Sequence, residues 1–266
     1  MTAAGMSESI ALAVIGGTGL YQLAALEDVE TVLRETPYGD PSGPARIGRF
    51  GGYRIAFLAR HGEHHSLPPH RVNYRANLWL LKELGVARVL SINAVGGIAE
   101  GYAPRAIGVP DQLIDYTWGR ISTFCEEPGS EVLHVDMTEP YTPSLRAALL
   151  DAATVARIAV IDGGCYGATQ GPRLETKAEI ARMRRDGCDL VGMTGMPEAG
   201  LARELGLDYA CLALVANWAA GCDPATESGQ AAEITMDEVL ANLEHATALL
   251  PALLRAMLQR NEGRMR

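Results

Sequence analysis

The chain has 266 residues, and at about 150 residues per domain that length fits one large α/β domain as well as two smaller ones. Its 23 basic and 32 acidic residues give a net charge of −9, the wrong sign for neutralising a phosphodiester backbone, so nucleic acid is not an expected partner. Hydrophobic residues at 48% and charged residues at 21% are ordinary globular usage and exclude whole-chain disorder.

The N-terminal MTAAGMSES has no basic leader, and no window reaches the ~18 apolar residues of a membrane span, so a soluble cytoplasmic protein with no membrane partner is expected. Ile10–Ile15 (IALAVI) runs into Gly16-Gly17-Thr18-Gly19, the pattern of a buried strand entering a tight loop. Arg46–Phe50 and Tyr53–Leu58 flank Gly51-Gly52 and predict a β-hairpin. Apolar residues at helical spacing predict a helix over Val72–Leu84, stopped by Gly85. Arg88–Ala94 follows at once as a strand, and this alternation favours a parallel or mixed sheet.

Pro143 suits the first turn of a helix over Ser144–Ala153. Ile158–Asp162 and Cys165–Gln170, separated by Gly163-Gly164, predict a second hairpin. Thr176-Lys177-Ala178-Glu179 is a capping box for a helix ending at Asp186 before Gly187. Leu190–Met193 reads as a strand, Pro197–Leu205 as a helix and Tyr209–Asn217 as an apolar central strand. A second capping box, Thr235-Met236-Asp237-Glu238, opens a C-terminal helix that should kink or break near Pro251. With no repeat, linker or step in composition, residues 1–266 read as a single α/β domain. Five widely spaced cysteines without a C-x-x-C pair indicate reduced thiols rather than a disulfide framework or a zinc site.

Polar or glycine-rich clusters follow several strands, and in α/β sheets ligands collect at such ends. Gly16–Gly19 can bring backbone N–H groups and the Thr18 hydroxyl to an anion, although a plain turn has the same look. Arg60-His61 adds a guanidinium fork and an imidazole suited to phosphate, with a surface arginine beside a satisfied histidine as the alternative. His61, His64, His65 and His70 lie between Gly62 and two prolines, a poor helix without a placed carboxylate, so no metal is expected. Glu175 has the look of a first-turn carboxylate. Asn217 ends an apolar strand, where a buried amide must find partners in a loop or in a ligand.

Taken together, IGGTGL (15–20), LARHG (58–62), VNYRANLWLLKEL (72–84), NAVGG (93–97), HVDMTEPYTP (134–143), GPRLETKAE (171–179) and MTGMPE (193–198) resemble the trimeric purine nucleoside phosphorylase and methylthioadenosine phosphorylase superfamily over nearly the whole chain. The resemblance implies a twisted mixed β-sheet flanked by helices, a homotrimer, and phosphorolysis of a nucleoside with inorganic phosphate as co-substrate and no other cofactor or metal. By position it assigns Thr18, Arg60, His61, the Ala94 amide and Thr194 to phosphate, Met193 to the ribose, His65 to its vicinity, and Asn93 to a substrate contact. His134 matches a residue that a neighbouring subunit contributes. Arg60, His61 and Asn217 are then the residues expected to carry catalysis.

Leu174-Glu175, Asn217 and Ala219 depart from the Phe-Ser pair and the two aspartates of the methylthioadenosine branch, and Glu175 and Asn217 instead match the oxopurine-reading pair of 6-oxopurine phosphorylases. A glutamate accepts from the N1–H of an oxopurine, while an asparagine serves O6 and N7. Met236 and Val239 instead align with residues that hold a methylthio group, with ordinary helix packing as the alternative. The combination makes S-methyl-5′-thioinosine the expected substrate, ahead of inosine or guanosine and then methylthioadenosine. A non-catalytic nucleoside-binding module is the reading from a different class.

Overall fold

Strand β5 (Arg88–Gly97) is the axis of the fold. The computed structural model describes residues 8–17, 26–126, 129–224 and 234–261. In it β5 lies between β1 (Leu12–Gly16) and β11 (Asp208–Trp218), both parallel to it. The β1 edge of β5 is shared. Gly16 sits opposite Ile92, where β1 ends, while β10 (Leu190–Gly192) runs antiparallel along the far end, with Leu190 opposite Gly97 and Val191 opposite Gly96. The C-terminal ends of β1 and β10 therefore face each other across residues 93–95.

Beyond β1 the sheet continues through β4 (Tyr53–Ala59), β3 (Ala45–Phe50) and β2 (Glu27–Val32). Beyond β10 it continues through β9 (Cys165–Ala168) and β7 (Gln112–Asp115). On the other side of β11, β6 (Ile107–Val109) pairs antiparallel and carries β8 (Ile161–Asp162). The described residues thus form one mixed sheet of eleven strands.

Alternate residues of the central strands supply two cores, as the period of two requires. Leu12, Val14, Leu90, Ile92, Leu212 and Leu214 pack beneath α2 (Pro143–Ala156), α5 (Met236–Thr247) and α6 (Leu250–Asn261). Ala13, Ile15, Val89, Cys211 and Val215 pack against α1 (Tyr74–Glu83) and α4 (Gly195–Glu204). The remaining helix, α3 (Lys177–Arg185), packs Ile180 and Met183 with Val191 and Ala219. No helix of the described residues is long and apolar enough to cross a membrane.

The predicted hairpin is β3–β4, and its tight turn is possible because Gly51 and Gly52 both take positive φ, 58° and 90°. Helix α1 begins two residues later than its apolar pattern suggests, because the Asn73 side chain accepts a hydrogen bond from the Ala76 N–H and caps the helix there. The C-terminal helix breaks into α5 and α6 just before Pro251. The second predicted hairpin is not formed. Gly163 N–H donates to Val109 O, and the Asp111 and Gln112 N–H groups donate to Gly164 O. The glycine pair is thereby held by the β6–β7 connection, and β8 and β9 run parallel to β6 and β7 instead of pairing with each other.

The first capping box forms in both directions: Thr176 Oγ accepts from Glu179 N–H at 3.2 Å, and the Glu179 carboxylate accepts from Thr176 N–H at 2.7 Å. It fixes the start of α3 immediately after Glu175. Thr176→Ala is expected to lose ~1 kcal/mol, seen in thermal unfolding as a fall of about 2–4 °C in Tm. An unchanged midpoint would remove the cap from the list of stabilising contacts.

Candidate active site

The C-terminal ends of β1, β4 and β5 open into a cleft of about 300 Å³, and the chain leaving β10 and the end of β11 close it from the opposite side. Gly17, Arg60, His61 and Ala94 line one end, next to Met193 and Thr194. A second hollow of about 440 Å³ lies on the far side of Glu175, between Tyr116, Trp118 and Arg173, and holds none of the other expected residues.

Arg60 is only 1% exposed and makes a two-pronged ion pair with the equally buried Glu198 of α4, Nε to Oε2 at 2.7 Å and Nη2 to Oε1 at 3.0 Å. Its Nη2 also donates to Ser91 Oγ at 2.6 Å, and its Nη1 donates to Ile92 O at 3.2 Å. Tyr209 donates its hydroxyl to Glu198 at 2.8 Å. Burial works against the guanidinium charge, but the field and hydrogen bonds of Glu198 more than offset it and keep Arg60 protonated. Nη1 has two hydrogens, and the second remains for a ligand. Glycine at position 17 lets the chain pass close over that nitrogen: a Cβ there would lie 3.1 Å from Nη1, a tight contact that the guanidinium would have to yield to.

His61 is 5% exposed and places Nδ1 2.8 Å from Leu67 O. A carbonyl only accepts, so Nδ1 carries the hydrogen and Nε2 presents a lone pair. Burial first, and the Arg60 charge second, push its pKa down to about 4, against a partly opposing effect of the Leu67 bond. The imidazole is therefore neutral near pH 7. Thr194 Oγ accepts from Asn93 Nδ2 at 2.9 Å, and its own O–H can turn either to the neighbouring Tyr166 hydroxyl or to a ligand in the cleft. Ile92 O points to Arg60 on the β1 edge, so the N–H of Ala94, two residues on, points to the same edge, between the ends of β1 and β10.

At the other end of the cleft, Glu175 Oε1 accepts from Thr169 Oγ at 2.5 Å, and Oε2 is the carboxylate oxygen left for a ligand. Asn217 reaches the cleft through a bulge: β11 keeps register with β5 to Val215, then skips to Asn217 opposite Gly96. An extra residue in one strand redirects the side chains that follow it. One Asn217 Nδ2 hydrogen goes to Trp218 O at 2.7 Å, leaving the second hydrogen and Oδ1. His65, Leu174, Met236 and Val239 also line the wall.

The fold thus gathers Arg60, His61, His65, Ala94, Leu174, Glu175, Met193, Thr194, Asn217, Met236 and Val239 at one cleft. Asn93 is not in its wall; it lies 1% exposed behind Thr194, on the face that also carries Ser91 and Glu198. His134 is exposed outside the cleft, and Thr18 lies outside the described residues. The residue that sequence reasoning passed over is Glu198, whose only signal was a carboxylate three residues into a helix after MTG.

A family model described as the phosphorylase superfamily matches residues 11–259. A curated relative from Xanthomonas campestris pv. campestris, named a probable S-methyl-5′-thioinosine phosphorylase, is 66% identical over 93% of this chain and 97% of its own. Another, from Thermococcus kodakarensis, is named a probable 6-oxopurine nucleoside phosphorylase and is 48% identical over 80% of this chain and 81% of its own. Among solved structures, methylthioadenosine phosphorylase from Schistosoma mansoni in complex with adenine superposes with a TM-score of 0.88 at 30% identity, covering 96% of this chain and 93% of that one.

Two measurements test the electrostatics of the cleft. Glu198→Ala leaves Arg60 buried without its counter-charge and is expected to destabilise by ~3–5 kcal/mol in denaturant unfolding, with Arg60→Met in the same chain recovering part of it. No recovery in the double variant would refute the pairing argument. For His61, an unfolded chain takes up the proton near pH 6.5 and the folded one only near pH 4. Between those values the unfolded state holds more protons, so stability falls as the pH drops from 6.5 to 4, by roughly 3 kcal/mol. His61→Gln should flatten that part of the stability profile, and an equally steep profile would refute the neutral, buried histidine.

Proposed function

The chain belongs to the phosphorylase superfamily, and from that premise we propose that it cleaves S-methyl-5′-thioinosine with inorganic phosphate to hypoxanthine and 5-methylthioribose 1-phosphate. What carries the proposal is one cleft in which anion-binding groups, a carboxylate and amide suited to an oxopurine, and the apolar Met236 and Val239 stand together. The names borne by its relatives at 66% and 48% identity support the same reading.

Phosphate is held by donors rather than by net charge, because Glu198 already balances Arg60. The remaining Nη1 hydrogen of Arg60, the Thr194 hydroxyl and the Ala94 N–H donate to phosphate oxygens, and neutral His61 accepts the proton of a phosphate P–OH through Nε2. Thr18 joins them by its place in the sequence. The glycosidic C1′–N9 bond breaks with its electron pair leaving on the purine, and a phosphate oxygen bonds to C1′ from the opposite face. Met193 lies under the ribose, with His65 beside it. Charge accumulating on the departing purine is met by the free Asn217 N–H at O6 or N7, while Glu175 accepts from N1–H. No metal or enzyme nucleophile enters these steps.

Leu174 and Met236 are 50% and 62% exposed at the cleft mouth, a poor environment for a thioether within one chain. We assign the cover to a neighbouring subunit of a homotrimer, contributing His134 from a segment that also exposes Val132 and Leu133. Asn93 serves the substrate indirectly, by holding Thr194. The enzyme acts in purine salvage, in the cytoplasm.

The deciding experiment compares phosphate-dependent base release from S-methyl-5′-thioinosine, inosine, guanosine and methylthioadenosine. The first is expected to have the highest kcat/KM. Equal values for inosine would refute the apolar 5′ site, and no release from any of them would favour a binding module. Asn217→Asp replaces a donor by an acceptor at the 6-position, and it should shift the methylthioadenosine-to-methylthioinosine ratio upward by about one to two decades. A wild-type ratio in that variant would remove Asn217 from base recognition.

A further inference from the structure

Strand β6 accompanies β11 through Leu214 opposite Ile107 and Ala213 opposite Gly108, and one more exchange binds Val215 N–H to Ala106 O. The Arg105 N–H donates back to Val215 O at 2.8 Å, from a residue held at a positive φ of 73°. That conformation is unfavourable for arginine and persists only where its surroundings enforce it. The backbone is thus clamped up to Val215 and resumes its register with β5 at Asn217, which leaves Ala216 as the extra residue of the bulge.

The Ala216 carbonyl is taken by a side chain. Asn242, in the middle of α5, donates through Nδ2 to Ala216 O at 2.8 Å, and its Oδ1 accepts from Arg105 Nε at 2.9 Å. The same helix carries Met236 and Val239 into the cleft, and the same bulge aims Asn217 into it. The chain Arg105–Asn242–Ala216 therefore joins the two ends of the site that discriminate between substrates.

We propose that Asn242 is a positioning residue that couples recognition of the 5′ substituent to recognition of the purine. This rests on the reading of Met236 and Val239 as the 5′ pocket and of Asn217 as the base reader. Asn242 does not line the cleft. It fixes the position of α5 relative to the bulge, so a group that packs against the helix favours the orientation of Asn217, and a base that engages Asn217 favours the seated helix. By the reciprocity of coupled sites, loosening the link must blur both preferences together.

The test is Asn242→Asp, which keeps size and the acceptor for Arg105 but removes the donor to Ala216 O. Arg105→Ala is the surface variant that frees the other side of the amide. Two ratios of kcat/KM are read: methylthioinosine over inosine for the 5′ end, and methylthioinosine over methylthioadenosine for the base end. Both are expected to fall about tenfold in Asn242→Asp and less in Arg105→Ala, with KM for phosphate within about twofold of wild type. A residue that merely packed α5 would move only the first ratio, and one that merely propped the bulge would move only the second. Either of those results, or two unchanged ratios in both variants, overturns the coupling while leaving the substrate reading intact. A wild-type enzyme that does not prefer methylthioinosine overturns the substrate reading and the coupling with it.

Discussion

One edge of β5 is divided between two strands that run toward each other, and the site follows from that division. β1 reaches only to Ile92, and β10, coming from the other direction, reaches back only to Gly96. A strand interrupted in this way leaves backbone donors without sheet partners on that edge, a costly arrangement unless something polar fills the gap. Here the gap is bounded by the Arg60 guanidinium and by the Thr194 hydroxyl at the start of α4. The cleft is therefore an opening in the sheet itself, which explains why Gly17, Arg60, Ala94, Thr194 and Asn217 reach it from strands far apart in sequence.

Holding a guanidinium in that opening sets the second condition. A buried arginine without a partner is strongly unfavourable, and a buried pair is stable only when both ions are also well hydrogen-bonded. The groups around the pair supply this: Glu198 in two-pronged contact, Ser91, Asn93 and the Ile15 and Ile92 carbonyls around Arg60, and Tyr209 on the other side of the carboxylate. The consequence is chemical as well as structural. The groups at that end of the cleft are nearly neutral in sum and held in fixed orientations, with His61 kept unprotonated by the same burial and the same arginine. In the proposed phosphorolysis such a site would contribute orientation rather than attraction, which suits a reaction that gains most from a positioned nucleophile.

The parts of this arrangement that the sequence reveals are those encoded locally. Gly51-Gly52 between alternating strands, Thr176 with Glu179, and Gly85 after an amphipathic run each determine backbone geometry within a few residues, and each forms as expected. Arg60 and His61, immediately after β4, and Asn217, near the end of the apolar β11, stand out as polar residues in apolar surroundings, whereas Glu175 looks like an ordinary first-turn carboxylate and is picked out only by the family resemblance. What escaped is non-local. Gly163-Gly164 has the composition of a hairpin turn, yet its hydrogen bonds go to Val109, Asp111 and Gln112, more than fifty residues earlier. β2, with Glu27, Asp28 and Glu30, is an exposed edge strand whose acidic residues obscure any apolar alternation. Glu198 looked like an ordinary helix carboxylate because its partner lies 138 positions away.

Asn93 shows how far such non-local pairing reaches into function. From sequence it appears among the substrate contacts; in the fold its side chain points to the α4 face, accepts from Ser91 and donates to Thr194. One consequence is that the Thr194 oxygen is held in place at the cleft, with one lone pair already used by an amide. The same logic recurs at Ala216, whose carbonyl is occupied by Asn242, and at His61, whose tautomer is fixed by Leu67. At Thr194 and at His61 the partner behind the wall, Asn93 or the Leu67 carbonyl, constrains what the group lining the cleft can donate or accept. The chemistry of the site is therefore set as much by the layer behind the cleft wall as by the wall itself.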